Sequence, residues 1–164
     1  MMKFGLGLPS MAFAAQTDPM QKITPFLWFE GNALEAAEFY VSIFKSSQII
    51  NASPMSVTLE LEGQRLMILN GGPHHKLSPA VSLFVHCETQ LEIDDLWQKL
   101  TDGGADGRCG WLVDKYGLSW QLVPPILGKL LGDKDRAKAQ RVMDAMMNMN
   151  KLEIAILEQA AQKP

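Results

Sequence analysis

The sequence predicts an α+β fold in which tandem βαβββ units form a curled mixed sheet, followed by C-terminal helices. Two observations predict it. Strand-like runs at 25–29 and 82–86 are each followed by a helical pattern, and the two copies lie 57 positions apart. Behind each helix come short alternating segments that are typical of hairpins. Beyond Pro124 the apolar spacing becomes helical again.

Both predicted helices have a recognisable N-terminus. Asn32 and Thr89 are residue types that favour the N-cap position. Glu35 and Glu92 follow three residues later, where a carboxylate can accept from the N–H of the cap residue. Apolar residues then recur on one helical face in each copy. Gly103 and the glycine after it can adopt the left-handed backbone conformation that ends a helix, so the second helix is predicted to end there.

The remaining elements follow from alternation and turn residues. The predicted strands are 56–61 with 65–69 in the first unit, and 109–113 with 118–123 in the second. The predicted C-terminal helices run over about 126–132, 135–149 and 150–161. Many of the methionines lie in these last segments, where flexible packing or a partner surface is plausible.

Composition sets the class of protein. A chain of 164 residues with 47% hydrophobic and 20% charged residues is typical of one globular domain. The net charge of −3 does not indicate the positively charged surface that nucleic-acid-binding proteins have. No apolar run is long enough to span a membrane. Cys87 and Cys109 are too few for a disulfide framework, so we expect reduced thiols and a cytoplasmic location.

The first 19 residues differ from the rest. Lys3 and the apolar stretch after it faintly resemble a secretory signal, but Gly5, Gly7 and Pro9 interrupt that stretch. We interpret 1–19 as a leader or as a segment outside the natural start. The predicted domain is 20–164, with repeats at about 21–70 and 79–124 followed by the helices.

Several motifs give the chain a family resemblance. It resembles the PhnB-like group of the vicinal oxygen chelate superfamily, whose members include glyoxalase I, extradiol dioxygenases and fosfomycin resistance enzymes. The motifs that carry the resemblance are Lys22–Phe29 (KITPFLWF), Phe39-Tyr40, Asn70-Gly71-Gly72-Pro73, Cys109-Gly110-Trp111-Leu112, Gly117–Pro124 (GLSWQLVP) and Ala139–Met143 (AQRVM). Relatives usually have a longer loop near 51–54. The resemblance implies a cup-shaped sheet that holds a ligand, and a homodimer, since units are exchanged between subunits in this superfamily.

The resemblance also implies where a metal would bind in metal-using relatives. The corresponding positions are Pro25 on the first strand, Ser82 as its repeat mate and Gln121 on the last strand. Divalent metals require imidazole nitrogen or carboxylate oxygen at about 2.0–2.2 Å. Proline, serine and glutamine do not supply such a set, so we expect no metal and no other cofactor. We interpret the adjacent loop histidines, His74 and His75, as a solvated pair.

Proteins of this group often carry the name of a demethylubiquinone methyltransferase. Adenosyl cofactors normally need a glycine-rich turn between a strand and a helix. Gly71 and its neighbour lead into a proline and a loop, whereas Gly103 ends a helix. The sequence therefore disfavours that activity.

What remains is a cup with a few polar groups on apolar walls, the usual form of a small-ligand site. We expect the ligand to contact Phe29, Asn70, Ser82, Ser119 and Gln121, with Trp111 and Cys109 at the rim. The other tryptophans, Trp28, Trp97 and Trp120, are expected in the core.

Three functions stay open at this point. The first is a metal-independent small-molecule-binding protein, in which Gln121 holds a carboxylate or carbonyl group. The second is a lyase, isomerase or transferase that uses His86 as a base or Cys109 as a nucleophile. The third is an interaction module whose methionine-rich C-terminal helices bind a protein. The first is favoured, because no acid–base or nucleophile–base pair is visible.

Overall fold

The two predicted units form two separate four-stranded sheets in the computed structural model, which describes residues 21–162. The first unit is β1 (Phe26–Phe29), α1 (Ala33–Ile43), β2 (Ser47–Ala52), β3 (Ser56–Leu61) and β4 (Gln64–Asn70). The second is β5 (Ser82–His86), α2 (Gln90–Thr101), β6 (Ala105–Asp106), β7 (Trp111–Val113) and β8 (Ser119–Val123). Helices α3 (Pro125–Leu131), α4 (Arg136–Met147) and α5 (Ile154–Gln162) follow. The α+β class and the tandem units are confirmed. The predicted leader lies outside the described residues.

Both sheets have the same mixed topology. The strand orders are β1-β4-β3-β2 and β5-β8-β7-β6, and only the pairs β1/β4 and β5/β8 are parallel. Neither sheet closes, so β1 and β5 are edge strands. Strands β2 and β6 had no residues assigned from sequence. The segment 51–54 forms the end of β2 and a tight turn into β3.

Helix α1 packs between the two sheets. The face of each sheet that carries helices is here called the covered face, and the opposite one the open face. Tyr40 and Phe44 belong to the same buried cluster as the covered face of the first sheet. Their rings also lie 5.4 Å from the ring of Trp120, on the covered face of the second sheet. Both open faces therefore turn away from this shared core.

The carboxylate of Asp114 joins the two units at the centre of this core. It is 3% exposed. One oxygen accepts from the backbone N–H groups of Tyr116 and Leu118, which fixes the β7–β8 turn. The other accepts from the Tyr40 hydroxyl and the Trp120 indole N–H, both at 2.8 Å. Burial, followed by the nearby Asp114 charge, raises the pKa of Tyr40 far above its ordinary value, so this hydroxyl stays a donor.

The predicted capping at the helix N-termini is present in part at α2 and absent from Asn32 at α1. Thr89 caps α2 as expected, accepting from the N–H of Glu92 at 3.2 Å. The Glu92 carboxylate accepts from the N–H of Glu88 rather than from that of the cap residue. At α1 the Asn32 side chain makes no capping bond. Asn70, from the end of β4, accepts from the N–H of Ala33 at 2.9 Å instead.

The three C-terminal helices have their own apolar cluster, which is built around Leu127, Val142, Met149, Leu152 and Leu157. The unit attaches to α2 through Gln90, whose amide bonds both the Leu152 carbonyl and the Ile154 N–H. Lys151 pairs with Asp94 of α2 and with Glu153. Among the methionines of this region, Met149 is buried, whereas Met143 and Met147 are exposed.

The described residues contain no helix long and apolar enough to cross a membrane.

We expect Asp114→Asn to destabilise the fold by roughly 2–4 kcal/mol. The amide group has one acceptor oxygen, so in either orientation its NH2 faces buried donors, which are the backbone N–H groups of Tyr116 and Leu118 or the Tyr40 hydroxyl and the Trp120 indole N–H. Tyr40→Phe removes only one of the four bonds and should cost about 1 kcal/mol. Urea unfolding followed by circular dichroism measures both. Asp106→Asn, the same change at an exposed strand position, is the control. Equal stability of Asp114→Asn and Asp106→Asn would contradict the assigned role.

Lys151→Met should raise the pKa of Asp94, whose pKa is lowered chiefly by the Lys151 ammonium and then by the Gln90 amide. A carboxyl whose pKa is lowered by folding stabilises the protein at pH values above its pKa in the unfolded chain, which is about 3.9. This stabilisation is lost as the pH falls through the lower pKa of the folded protein. Because the pair is partly exposed, Lys151→Met should cost less than about 1 kcal/mol at pH 7 and nothing at about pH 2.

Carboxyl-detected NMR titration and urea unfolding at both pH values test this expectation. Lys99→Met is the matched control, since its partner Asp95 lies one turn away on the same helix. An Asp94 pKa that does not change in Lys151→Met would contradict it.

Candidate functional site

A cavity of about 640 Å³ opens along the free edge of β5. Because β5 is an edge strand, residues from both of its faces reach the cavity. Ser82, Phe84 and His86 come from the open face, and Leu83 and Val85 from the covered face. The first unit contributes residues next to β1, at the end of α1 and in the β3–β4 hairpin, namely Pro25, Phe44, Lys45, Ser46, Leu61, Glu62, Gln64 and Leu66. Trp120 of β8 and Glu92 of α2 complete the lining. The walls are mostly apolar.

The cavity contains two of the three positions at which the family resemblance implied a metal, and the third lies next to it. Pro25 and Ser82 line the same space. Gln121, on the neighbouring strand β8, donates from its amide nitrogen to the Ser82 hydroxyl at 2.9 Å. Pro25 offers no side-chain ligand atom, and Gln121 directs a donor at Ser82. Within residues 21–162 no three His, Cys, Asp or Glu side chains converge as a metal set would require. These residues do not fit a divalent metal.

Gln121 lies among uncharged neighbours. The strand register places it beside Phe84 on one side and Trp111 on the other. Ser119, two residues before it on the same face, is directly opposite Ser82. Ser119 is 1% exposed, and its hydroxyl makes no hydrogen bond within the described part of the chain. Ser82, Trp111, Ser119 and Gln121 thus form one continuous polar–aromatic patch.

Two of the predicted ligand contacts belong to the core instead. Phe29 is 3% exposed on the covered face of β1 and stacks on Tyr116 at 6.3 Å between ring centroids. Asn70 also points to the covered side, where its amide caps α1 and donates to the Pro54 carbonyl. Both side chains make structural contacts on the covered side, so neither faces the cavity.

Trp28 differs from its predicted place in the core. It lies on the open face of β1, partly buried, while Trp97 and Trp120 are buried as expected. Its indole N–H donates to the Gly72 carbonyl at 2.8 Å, and its ring meets His75 edge-on at 4.7 Å. A Cβ on Gly71 would stand 2.1 Å from the indole, so glycine is required there for contact with Trp28.

The two candidate catalytic residues do not form a pair. His86 is exposed at the end of β5, lines the cavity and lies 5.0 Å from the Phe84 ring. Cys109 is outside the cavity lining; its sulfur lies 3.6 Å from the Met147 sulfur. The φ values of Cys109 and Gly110 are both positive, which makes a tight turn, so strand β7 begins at Trp111 rather than at the predicted position 109. Burial raises the pKa of the other thiol, Cys87, to about 12.

Sequence reasoning missed Asp114 and most of the cavity wall. Asp114 was assigned only to a turn, and its partners Tyr40 and Trp120 are distant in sequence. The presence of Asp at the first position of a turn ending in Gly117 was the one local signal. Phe44 and Leu66 are apolar residues of ordinary helix and strand patterns, and nothing local marks them as cavity walls.

Comparison with known proteins agrees with this architecture. The family model described as 3-demethylubiquinone-9 3-methyltransferase matches residues 21–123. A PhnB protein from Bacillus cereus with that same description is 40% identical, with 63% of this chain and 99% of that one covered and a TM-score of 0.58. A Pseudomonas aeruginosa protein is 20% identical, with 63% and 97% covered and a TM-score of 0.53.

A glyoxalase-related enzyme from Fulvimarina pelagi is 13% identical, with 65% of this chain and 91% of that one covered and a TM-score of 0.47. No curated protein matches the chain. The family match covers both βαβββ units and ends at the last residue of β8. The chain belongs to the PhnB-like family described as 3-demethylubiquinone-9 3-methyltransferase.

Proposed function

We propose that the protein is a metal-independent small-molecule-binding protein whose site is the cavity along β5. The observation that carries the proposal is the cavity itself. Its volume of about 640 Å³ lies within the roughly 300–1,000 Å³ of typical ligand sites. Its walls are mostly apolar, and the Ser82 hydroxyl, oriented by the Gln121 amide, supplies a polar group at one side. Specific ligand sites commonly combine these two features.

The proposal assigns no metal to this site. Pro25 has no ligand atom, and a divalent ion would have to displace the Gln121–Ser82 hydrogen bond to reach two weak neutral oxygens. Lys45, at the cavity mouth, would repel a cation.

The methyl donor that the family description implies does not fit either. A glycine-rich turn would have to leave its backbone open to the cofactor. The space beside Gly71 is filled by the Trp28 indole, and the space beside Gly104 by the Val113 carbonyl. We assign this chain no methyl-transfer step.

We further propose a homodimer. Phe26 on the open face of β1 is 53% exposed, and Phe84 on the open face of β5 is 49% exposed. Both belong to edge strands, whose unpaired backbone groups favour pairing with another chain. Within one chain α1 keeps the two open faces apart, so they cannot pack on each other. A second copy of the chain can pack on them and bury their exposed phenylalanines. The two free thiols fit the cytoplasmic location that we propose.

An enzyme is the second candidate function, and the position of His86 favours it. This imidazole lines the cavity together with Ser82, and a positioned imidazole can accept a proton from a bound molecule. Of the described side chains, none bonds to His86 as an orienting partner would, which is why ligand binding stands first. If a substrate is found, His86→Gln should reduce kcat by 100-fold or more in the enzyme case.

The ligand site can be tested with 6-propionyl-2-(dimethylamino)naphthalene, an uncharged dye whose emission shifts to the blue in apolar surroundings. We expect saturable binding at one site per chain that dialysis against EDTA does not change. Val85→Trp should fill the cavity and weaken binding at least tenfold, because Val85 lines it. Val81→Trp, at an exposed position just before β5, is the control. Equal weakening by both variants, or loss of binding after EDTA, would contradict the proposal.

Association can be measured by native mass spectrometry and sedimentation of the full chain. We expect a dimer at micromolar concentration. Phe84→Asn should weaken it at least tenfold by removing a large apolar side chain from the contact. Leu91→Asn makes the same type of change on the outer surface of α2, where 79% of the residue is exposed, and should leave the dimer intact. A monomeric wild-type protein would refute the dimer.

A further inference from the structure

We propose that the chain binds Cu(I) at a surface cluster of sulfur atoms, which lies between the turn that precedes β7 and the end of α4. The ligands are the Cys109 thiolate and the thioethers of Met147 and Met143, here called the sulfur cluster. All three residues lie outside the lining of the cavity along β5, so this proposal is independent of the ligand site.

Two of the sulfur atoms already lie close enough to share one ion. The Cys109 sulfur is 3.6 Å from the Met147 sulfur. Sulfur ligands bind a metal ion at about 2.3 Å, so two sulfurs on the same ion are at most about 4.6 Å apart. The observed separation of 3.6 Å corresponds to a sulfur–metal–sulfur angle of about 100°. Such an angle leaves room for a third ligand.

Met143 supplies that third sulfur. It precedes Met147 by one turn of α4, and residues one turn apart are neighbours on a helix surface. Met143 is 38% exposed and Met147 is 47% exposed, so an ion can reach both thioethers from solvent. The methionine side chain has three rotatable bonds, so the thioether can turn towards an ion while the helix backbone stays in place.

Main-chain hydrogen bonds hold the Cys109 side of the cluster against α4. The Arg108 guanidinium donates to the carbonyl of Met147. The N–H groups of Cys109 and Gly110 donate to two carbonyls just beyond the end of α4, at 2.9 and 2.7 Å. The two elements that carry the sulfurs are therefore joined before any ion binds, and less ordering is needed when it does.

The backbone of Cys109 supports a role for its side chain. Its φ is 58°, in the left-handed region that favours glycine, and Gly110 follows with a φ of 86°. The contact with Met147 adds little stability by itself, because a thiol is a weak donor and a thioether a weak acceptor. Non-glycine residues held in such conformations are concentrated at functional sites.

The donor atoms determine which ion fits. Thiolate and thioether ligands select Cu(I), whereas Mg²⁺ and Ca²⁺ prefer oxygen ligands. Zn²⁺ takes four ligands from cysteine, histidine and carboxylate groups. In the part of the chain that the structure describes, no three side chains of those types or of aspartate and glutamate converge. The sulfur cluster therefore suits a soft ion and not a hard or borderline one.

The other thiol of the chain does not compete for the ion. Cys87 is fully buried, and this burial raises the pKa of its thiol to about 12, so it stays protonated. At Cys109 the thiol loses its proton to solvent when Cu(I) binds, and the sulfur forms the bond to the ion. No electron is transferred in this step.

Competition with bicinchoninate, a coloured chelator of Cu(I), tests the proposal on the full-length protein under nitrogen. We expect one Cu(I) per chain and an ultraviolet charge-transfer band from thiolate to Cu(I). Cys109→Ser should remove this band. Met147→Leu should weaken binding by about tenfold or more, and Met143→Leu by about threefold, because each variant removes one soft ligand.

Three controls separate loss of a ligand from loss of the fold. Met55→Leu changes an exposed methionine in the β2–β3 turn and should leave Cu(I) affinity unchanged. Cys87→Ala should keep the charge-transfer band. Cys109→Gly suits the positive φ at this position, so it should unfold in urea no earlier than the wild type and yet show no band.

Several results would overturn the proposal. If Cys109→Ser or Cys109→Gly keeps the band, or if Met55→Leu weakens binding as much as Met147→Leu, the ligands are wrongly assigned. If Zn²⁺ binds as tightly as Cu(I), the cluster does not select a soft ion. If bicinchoninate retains all the Cu(I), the site is refuted. The dye experiment on the cavity is unaffected by any of these results.

Discussion

The fold depends on one buried carboxylate. Asp114 accepts four hydrogen bonds, two that close the β7–β8 turn and two from Tyr40 and Trp120. A buried charge is tolerated only when its lone pairs are satisfied, so this geometry is tightly defined. Three of these bonds lie within the second unit, whereas the bond from Tyr40 on α1 joins the first unit to the second. The direction of both open faces follows from that contact.

This packing determines where a ligand can bind. Helix α1 and the aromatic rings of Tyr40, Phe44 and Trp120 occupy the space between the covered faces. The cavity lies where α1 ends and β5 has no outer neighbour, and there it reaches the core residues Phe44, Leu66 and Trp120. An edge strand that exposes both of its faces to one cavity provides polar groups from one side and apolar groups from the other. Ser82 and Leu83, adjacent in sequence, illustrate this arrangement.

The sequence predicted the elements well because periodicity and caps are local signals. It predicted the faces of the first unit poorly, because faces depend on strand register. The helix caps Asn32 and Thr89 are 57 positions apart, but Phe26 and Phe84, which share the open face, are 58 apart. A shift of one residue exchanges the two faces of a strand. That single offset explains why Phe29 was placed towards the ligand. Asp114 was missed for another reason, since contacts across 74 positions leave no local pattern.

At the site, the positions that could be predicted were those given by the family resemblance, Pro25, Ser82 and Gln121. The residues at these positions do not supply the ligands of a metal site. A metal site needs several converging anionic or imidazole ligands, whereas Gln121 and Ser82 satisfy part of each other's hydrogen-bonding capacity. Such a pair cannot polarise a substrate as a metal does, but its remaining hydroxyl proton and amide oxygen can donate and accept hydrogen bonds. What such a site can do therefore depends on its side chains and not on the fold alone.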